Sequence, residues 1–92
     1  MDLEGFQRRI ADVYLTRDAE RGVPATVAWI AEEVGELAQA VRKGSPAQQL
    51  HELGDVLAWV ASLANQLELS LADAAARYAE GCPLCGGIPC AC

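Results

Sequence analysis

Four acidic residues form two pairs with identical spacing. Glu33 and Glu36 lie in the segment WIAEEVGELAQAVRKG, and Glu52 and Asp55 lie in HELGDVLAW. Residues three apart share one face of a helix, so each pair can present two carboxylates to the same side. Mg²⁺ prefers carboxylate oxygens and bridges readily to phosphate oxygens. The two pairs therefore indicate a site for a hard divalent cation such as Mg²⁺.

The alternative interpretation of these acids is an ordinary solvated helix face. Carboxylates at close quarters repel one another, and without a cation among them some must hold protons with raised pKa values. Each acidic pair also has a tryptophan one helical turn beyond it, Trp29 before the first and Trp59 after the second. This double arrangement favours the metal site over the solvated face.

The elements that position the acids are predicted to be helices, because apolar residues recur at helical spacing and no strand-like alternation occurs. A first helix is expected over residues 3–20, ended by Gly22, and Pro24 can open a second. Gly44 suits the end of the second helix. The residues of that helix expected to face a core are Val27, Ile30, Ala31, Val34, Leu37, Ala38 and Val41.

A capping-box sequence at residues 45–48, with Pro46 in the first helical position, opens a third helix. A brief fourth helix is expected from the Ser70 cap to about Glu80, ahead of Gly81. The apolar residues of the third helix are Leu50, Leu53, Leu57, Val60, Ala61, Ala64 and Leu67.

The very short turn at Gly44 makes the second and third helices an antiparallel hairpin. Glu36 and Glu52 each lie eight residues from Gly44, and Glu33 and Asp55 each lie eleven from it. Both helices rise by about 1.5 Å per residue, so each pair should lie at one level. The sequence therefore predicts a two-by-two array of carboxylates beside the apolar seam. Trp29 and Trp59, each fifteen residues from Gly44, should also be level.

Composition limits the possible classes of function. A chain of 92 residues forms one small domain that needs help from a metal or a partner. The net charge of −6 with a single lysine argues against nucleic-acid binding. No apolar run is long enough to cross a bilayer, and the first residues do not resemble a signal peptide. We therefore expect a soluble, cytoplasmic protein with no membrane partner.

All four cysteines occur in the last eleven residues, CPLCGGIPCAC. A reduced cytosolic chain can use such thiols to hold a metal, and the CxxC–CxC spacing is typical of a zinc knuckle with a structural, tetrahedral Zn²⁺. Disulfides and a disordered reduced tail are the alternatives. The predicted organisation is thus a helical domain over residues 1–80 and a Cys-rich tail over residues 81–92. The proposed zinc ligands are Cys82, Cys85, Cys90 and Cys92.

The segments EEVGE, residues 32–36, and ELGD, residues 52–55, resemble the EExxE and ExxD motifs of the MazG family of all-α nucleoside triphosphate pyrophosphohydrolases. The resemblance extends over residues 26–71. It implies hydrolysis between the α and β phosphates of a nucleoside triphosphate, giving the monophosphate and pyrophosphate. The residues that match the family's catalytic Mg²⁺ ligands are Glu33, Glu36, Glu52 and Asp55.

The resemblance also implies a homodimer or homotetramer, so that the helical bundle is completed by oligomerisation. Glu32 is the extra acid of the motif. It is either a catalytic base that is not itself a metal ligand, or a solvated acid. His51, beside the second motif, is interpreted as a surface histidine rather than a ligand.

This chain departs from the family in its phosphate-binding residues. Many members have a lysine one turn before the first motif, where this chain has Trp29, and another on the last helix, where Arg77 is the nearest counterpart. Arg77 either binds phosphate or is a solvated surface residue. Trp29 and Trp59 either stack on a nucleobase of the substrate or pack between protomers.

Two further functions are compatible with these residues. One is phosphoribosyl-ATP pyrophosphohydrolase activity, which breaks the same kind of bond and belongs to the same superfamily. The other is a non-catalytic helical interaction module, in which the knuckle binds a partner and the acids are solvated. Mg²⁺ binding distinguishes this module from the enzymes.

Overall fold

The computed structural model describes all 92 residues and contains four α-helices and no strand, which confirms the all-α prediction. The helices are α1 (Leu3–Arg21), α2 (Val23–Lys43), α3 (Pro46–Gln66) and α4 (Leu71–Ala76). No helix combines the length and the apolar character that crossing a bilayer requires.

A single residue, Gly22, separates α1 from α2. Its φ of 87° lies in the left-handed region that glycine adopts without steric cost. The Gly22 amide donates to the Asp18 carbonyl at 3.0 Å and so ends α1, and Pro24 then lies in the first turn of α2. Asp2 begins α1 by accepting a hydrogen bond from the Gly5 amide at 2.7 Å.

The turn between α2 and α3 is held by the expected capping box. The Gln48 amide donates to Ser45 Oγ at 3.2 Å, and the Ser45 amide donates to Gln48 Oε1 at 2.7 Å. Gly44 closes α2 with a 2.8 Å hydrogen bond to the Ala40 carbonyl. A Cβ at Gly44 would lie 2.8 Å from that oxygen, so the turn excludes any larger residue there.

Helix α3 is the central element, because it packs along both α2 and α1, which have little contact with each other. Gln7 of α1 joins the far end of α3 by donating to Asn65 Oδ1 at 3.0 Å, and it joins the start of α4 by accepting from the Leu71 amide at 2.8 Å. The buried apolar residues of this small core are Ile10, Ala40, Ala61 and Ala64.

The prediction that the apolar series of α2 faces a core is largely wrong, because only Ile30 and Leu37 of that series are even half-buried. The buried residues of α2 are Thr26, Glu33 and Ala40. Val27, Val34 and Val41 are 50%, 48% and 64% exposed. One chain supplies two long helices to pack against α3 and none to cover the outer side of α2. On α3 the exposed apolar residues are Leu50, Leu53 and Leu57.

The prediction that the fourth helix reaches Glu80 is wrong, because α4 ends at Ala76. Beyond it the chain makes single turns, in which the Tyr78 amide donates to the Ala75 carbonyl and the Ala79 amide to the Ala76 carbonyl. Residues 77–80 are exposed. A helical turn without packing has little to stabilise it, since most helix stability in proteins comes from tertiary contacts.

Candidate metal-binding active site

The α2–α3 hairpin brings the two acidic pairs together. Ligand oxygens of Glu33, Glu36 and Glu52 all lie within 4.8 Å of one another. Glu52 also lies within 4.8 Å of Asp55 and of a ring nitrogen of His51. Glu52 therefore belongs to both groups of ligands, and these groups together contain the four acids, which we call the array.

The array contains buried carboxylate oxygens that have no hydrogen-bond partner. Glu33 is only 9% exposed, and both Glu33 Oε2 and Glu52 Oε2 are buried without a donor. Burial raises the pKa of Glu33, and the charges of Glu36, Asp55, Glu52 and Glu32 raise it further. This agrees with the expectation that crowded acids hold protons in the absence of a cation. An all-oxygen donor set with unpartnered buried oxygens fits a hard divalent cation.

The two residues next to the array in sequence lie at its edge. Glu32 is exposed on α2. The His51 side chain is 71% exposed, as expected of a surface histidine, and its Nε2 lies 3.4 Å from Asp55 Oδ2. His51 therefore contacts the array through Asp55 while facing solvent.

Trp29 and Trp59 stack on each other across the hairpin. Their ring centroids are 5.7 Å apart and their planes are inclined by 6°. The stack agrees with the expectation that the two residues are level. The stack is a contact within one chain that neither interpretation of the tryptophans included. Trp29 remains 42% exposed.

A cavity of about 160 Å³ lies between α1 and α3, next to the array. The Arg21 guanidinium lies 4.6 Å from the centroid of the Trp59 ring and 2.6 Å from the Asp18 carboxylate, which is buried. The cavity therefore combines cations with an aromatic surface and is bordered by a member of the array. Its lining residues are Tyr14, Arg17, Asp18, Arg21, Asp55, Ala58, Trp59 and Ser62.

A second, more polar cavity of about 360 Å³ lies on the turn side of the array. Glu36 and Glu52 border it together with Lys43, the only lysine of the chain. The array thus lies between an aromatic cavity with two arginines and a polar cavity with a lysine. Each of these cations offers a partner for phosphate.

The cations of both cavities were not predicted from the sequence. The i,i+3 spacing of Asp18 and Arg21 is the signal that could have indicated one of them, since such a pair forms readily on one helix. Arg77, the candidate phosphate-binding residue, is exposed and contacts its neighbour Tyr78. Its guanidinium donates to the Tyr78 hydroxyl at 3.3 Å and lies 5.5 Å from the ring centroid.

The four cysteines form a separate group in the tail. All are free thiols, and their sulfur atoms lie within 4.8 Å of one another. The group contains no member of the acidic array, so the two candidate ligand sets are distinct.

Comparison with protein families gives a match to the MazG nucleotide pyrophosphohydrolase domain over residues 21–81. The match covers α2, α3 and α4, including all four acids of the array, and extends over well more than half of the chain. Nearly all of α1 lies outside it. The chain has no match among curated protein sequences.

Proposed function

The chain belongs to the MazG nucleotide pyrophosphohydrolase family, and from this premise we propose that it is a Mg²⁺-dependent nucleoside triphosphate pyrophosphohydrolase. Water is added across the bond between the α and β phosphates, and the products are the nucleoside monophosphate and pyrophosphate. The observation that carries the proposal is the convergence of Glu33, Glu36 and Glu52 with buried carboxylate oxygens that lack a partner.

In this proposal Mg²⁺ is held by Glu33, Glu36, Glu52 and Asp55. Bound there, it supplies neutralisation of the phosphate charge and activation of water. The chain contributes a rigid set of carboxylates, because the paired helices fix their spacing before substrate arrives. Such preorganised charge is the main contribution that a protein makes to phosphoryl chemistry.

The cavity between α1 and α3 is the proposed site of the nucleoside and the adjoining phosphate. Trp59 and Tyr14 supply aromatic surface, and Arg17 and Arg21 supply guanidinium groups that match phosphate oxygens. Trp29 acts through Trp59 by holding its ring in the stack. The site then extends over the array toward Lys43, where the leaving pyrophosphate has a cationic neighbour.

The sequence also indicates possible roles for two further residues, Glu32 and Arg77. Glu32 is exposed and within electrostatic reach of Glu33, which suits a base that accepts a proton from water but equally suits a solvated acid. Arg77 can bind phosphate only after leaving Tyr78, or from another protomer.

We also propose that the protein is a homodimer or a homotetramer. Val27, Val34 and Val41 of α2 recur every seven residues, so they form one exposed stripe. On α3 a second stripe is formed by Leu50, Leu53 and Leu57. Isolated soluble domains rarely leave such surfaces open to water. A second copy of the hairpin would cover them and complete a helical bundle.

The decisive experiment is an assay of pyrophosphate release from canonical and modified nucleoside triphosphates and from phosphoribosyl-ATP, with and without Mg²⁺. We expect Mg²⁺-dependent release from at least one triphosphate and its loss on replacing Glu33, Glu36 or Glu52 by Gln, or Asp55 by Asn. Turnover of phosphoribosyl-ATP alone would assign the related activity instead.

The matched control is Glu20→Gln, which removes an exposed acid of α1. Circular dichroism should show that all variants remain helical. If the four array variants kept wild-type turnover at saturating Mg²⁺, or if no substrate were hydrolysed and no Mg²⁺ bound, the enzymatic proposal would be wrong. The second outcome would favour the interaction module.

A further inference from the structure

The segment after α4 is a compact loop built around its four cysteines. The Gly86 amide donates to the Cys82 carbonyl at 2.7 Å, and the Cys82 amide donates to the Gly87 carbonyl at 3.1 Å. These two bonds fold residues 82–87 back on themselves. The loop begins at Gly81, whose φ of 120° is strained for other residues, and a Cβ there would lie 2.8 Å from the side chain of Ile88.

The sulfur atoms lie close to the separations found in a tetrahedral metal site. Cys82 Sγ lies 3.8 Å from Cys92 Sγ and 3.6 Å from Cys90 Sγ, and the Cys90 and Cys92 sulfurs are 3.3 Å apart. A Zn–S bond of about 2.3 Å in tetrahedral geometry places neighbouring sulfurs about 3.8 Å apart. The sulfur of Cys85 completes the group within the same 4.8 Å limit.

Backbone amides point at the sulfur of Cys85, as they do in knuckles that bind metal through thiolates. The Gly87 and Ala91 amides each donate to Cys85 Sγ at 3.4 Å. The backbone of the loop therefore holds the Cys85 sulfur in place.

Apolar packing does not explain why this loop is folded. Its two large apolar side chains, Leu84 and Ile88, are 80% and 81% exposed. A segment without buried apolar surface needs another source of stability, and metal binding is the usual one in very small units.

We propose that Cys82, Cys85, Cys90 and Cys92 bind one Zn²⁺ as a closed, structural site that is separate from the acidic array. Soft thiolates select zinc, whereas the carboxylates of the array select hard cations such as Mg²⁺. Four protein ligands leave no position for water or substrate. The zinc therefore fixes the fold of the tail, and binding releases the protons that the thiols carry.

The test uses the full chain purified under reducing conditions without added metal. Elemental analysis should find about one zinc per chain, as expected of a four-thiolate site. Titration of metal-free protein with Co²⁺ should produce the visible absorption of a tetrahedral thiolate complex, and Zn²⁺ should abolish it. The bound zinc and the Co²⁺ absorption should both be lost when Cys82 and Cys85 are replaced together by Ser.

Two variants make the separation of the sites measurable. The Glu33→Gln variant should retain the zinc and the Co²⁺ spectrum. The Cys82→Ser/Cys85→Ser variant should lose the zinc and the Co²⁺ spectrum. Its Mg²⁺ affinity, measured by calorimetry, should stay unchanged. These readouts do not depend on turnover, so they stand whether or not the proposed hydrolysis is found.

Several results would overturn the proposal. These are mass spectra showing disulfides in protein kept reduced, absence of any bound zinc, retention of zinc after the double substitution, and loss of zinc in Glu33→Gln. The last result would assign the zinc to the acidic array. Loss of Mg²⁺ affinity in the double Cys variant would show that the two sites are coupled.

Discussion

The indole rings of Trp29 and Trp59 lie parallel, with centroids 5.7 Å apart, one helical turn beyond the carboxylate array. One ring belongs to α2 and the other to α3, so the stack joins the two helices that carry the acids. It therefore fixes the helices at one level just above the array, while the capping box fixes them at the turn below.

The stack should contribute measurably to stability. A double-mutant cycle with Trp29→Ala, Trp59→Ala and the double variant isolates the coupling between the rings. We expect a coupling of about 0.5–1.5 kcal/mol in the free energy of unfolding, which is typical of aromatic pairs. Urea denaturation followed by circular dichroism measures it. Additive effects of the two substitutions would show that the rings stabilise the hairpin independently.

Arg21 should be needed for substrate binding. Replacing it by Met removes a guanidinium from the cavity beside Asp55. A hydrogen bond to a charged group contributes about 1.5–3 kcal/mol, so we expect KM to rise by about tenfold or more. Arg9→Met, which removes an exposed arginine from the same helix, is the control. An unchanged KM for Arg21→Met would place the phosphates elsewhere.

The raised pKa of Glu33 predicts a specific dependence of stability on pH. Glu33 binds its proton more tightly in the folded state than in the unfolded state, where its pKa is near 4.5. Its stabilising effect is complete below that value and is lost as pH rises through the higher folded pKa. In Mg²⁺-free buffer, the free energy of unfolding of the wild type relative to Glu33→Gln should therefore fall as pH rises.

Urea denaturation between about pH 4 and about pH 8 checks this expectation. The comparison of wild type with Glu20→Gln should show no such trend, because Glu20 lies on an exposed part of α1. Added Mg²⁺ should recover the lost stability. A flat difference for Glu33→Gln across the range would mean that Glu33 is ionised without cost.

Assembly should depend on the apolar stripes of the hairpin. Val41 is 64% exposed on α2 and Leu50 is 72% exposed on α3. We expect sedimentation to show a dimer or tetramer for the wild type and smaller species for Val41→Lys and Leu50→Lys, because a charge cannot be buried cheaply at an apolar interface. Leu84→Lys, in the exposed tail, should assemble normally. A monomeric wild type at micromolar concentration contradicts the proposed assembly.

The hairpin could be predicted from sequence because its signals are local. Gly44, Ser45 and Gln48 specify the turn, and the distances of the acids from Gly44 then follow from helix geometry. The structure brings Glu33, Glu36 and Glu52 together as that reasoning expects.

The cavity between α1 and α3 could not be predicted in this way. Its position depends on how α1 crosses α3, which is determined by the conformation of Gly22 and by long-range bonds such as Gln7 to Asn65. The early end of α4 has a similar cause. Helical periodicity indicates where a helix can form, but packing decides how far it extends.

The rigid turn at Gly44 and Ser45 has a consequence for how this hairpin can change in length. One residue inserted within α3 between Pro46 and Glu52 would rotate the rest of that helix by about 100°, and Glu52 and Asp55 would point away from Glu33 and Glu36. Matched additions of complete turns to the two helices, between the turn and the acids, would preserve the array. The hairpin can therefore lengthen symmetrically and in whole turns, whereas a single insertion in one of its helices would separate the two motifs.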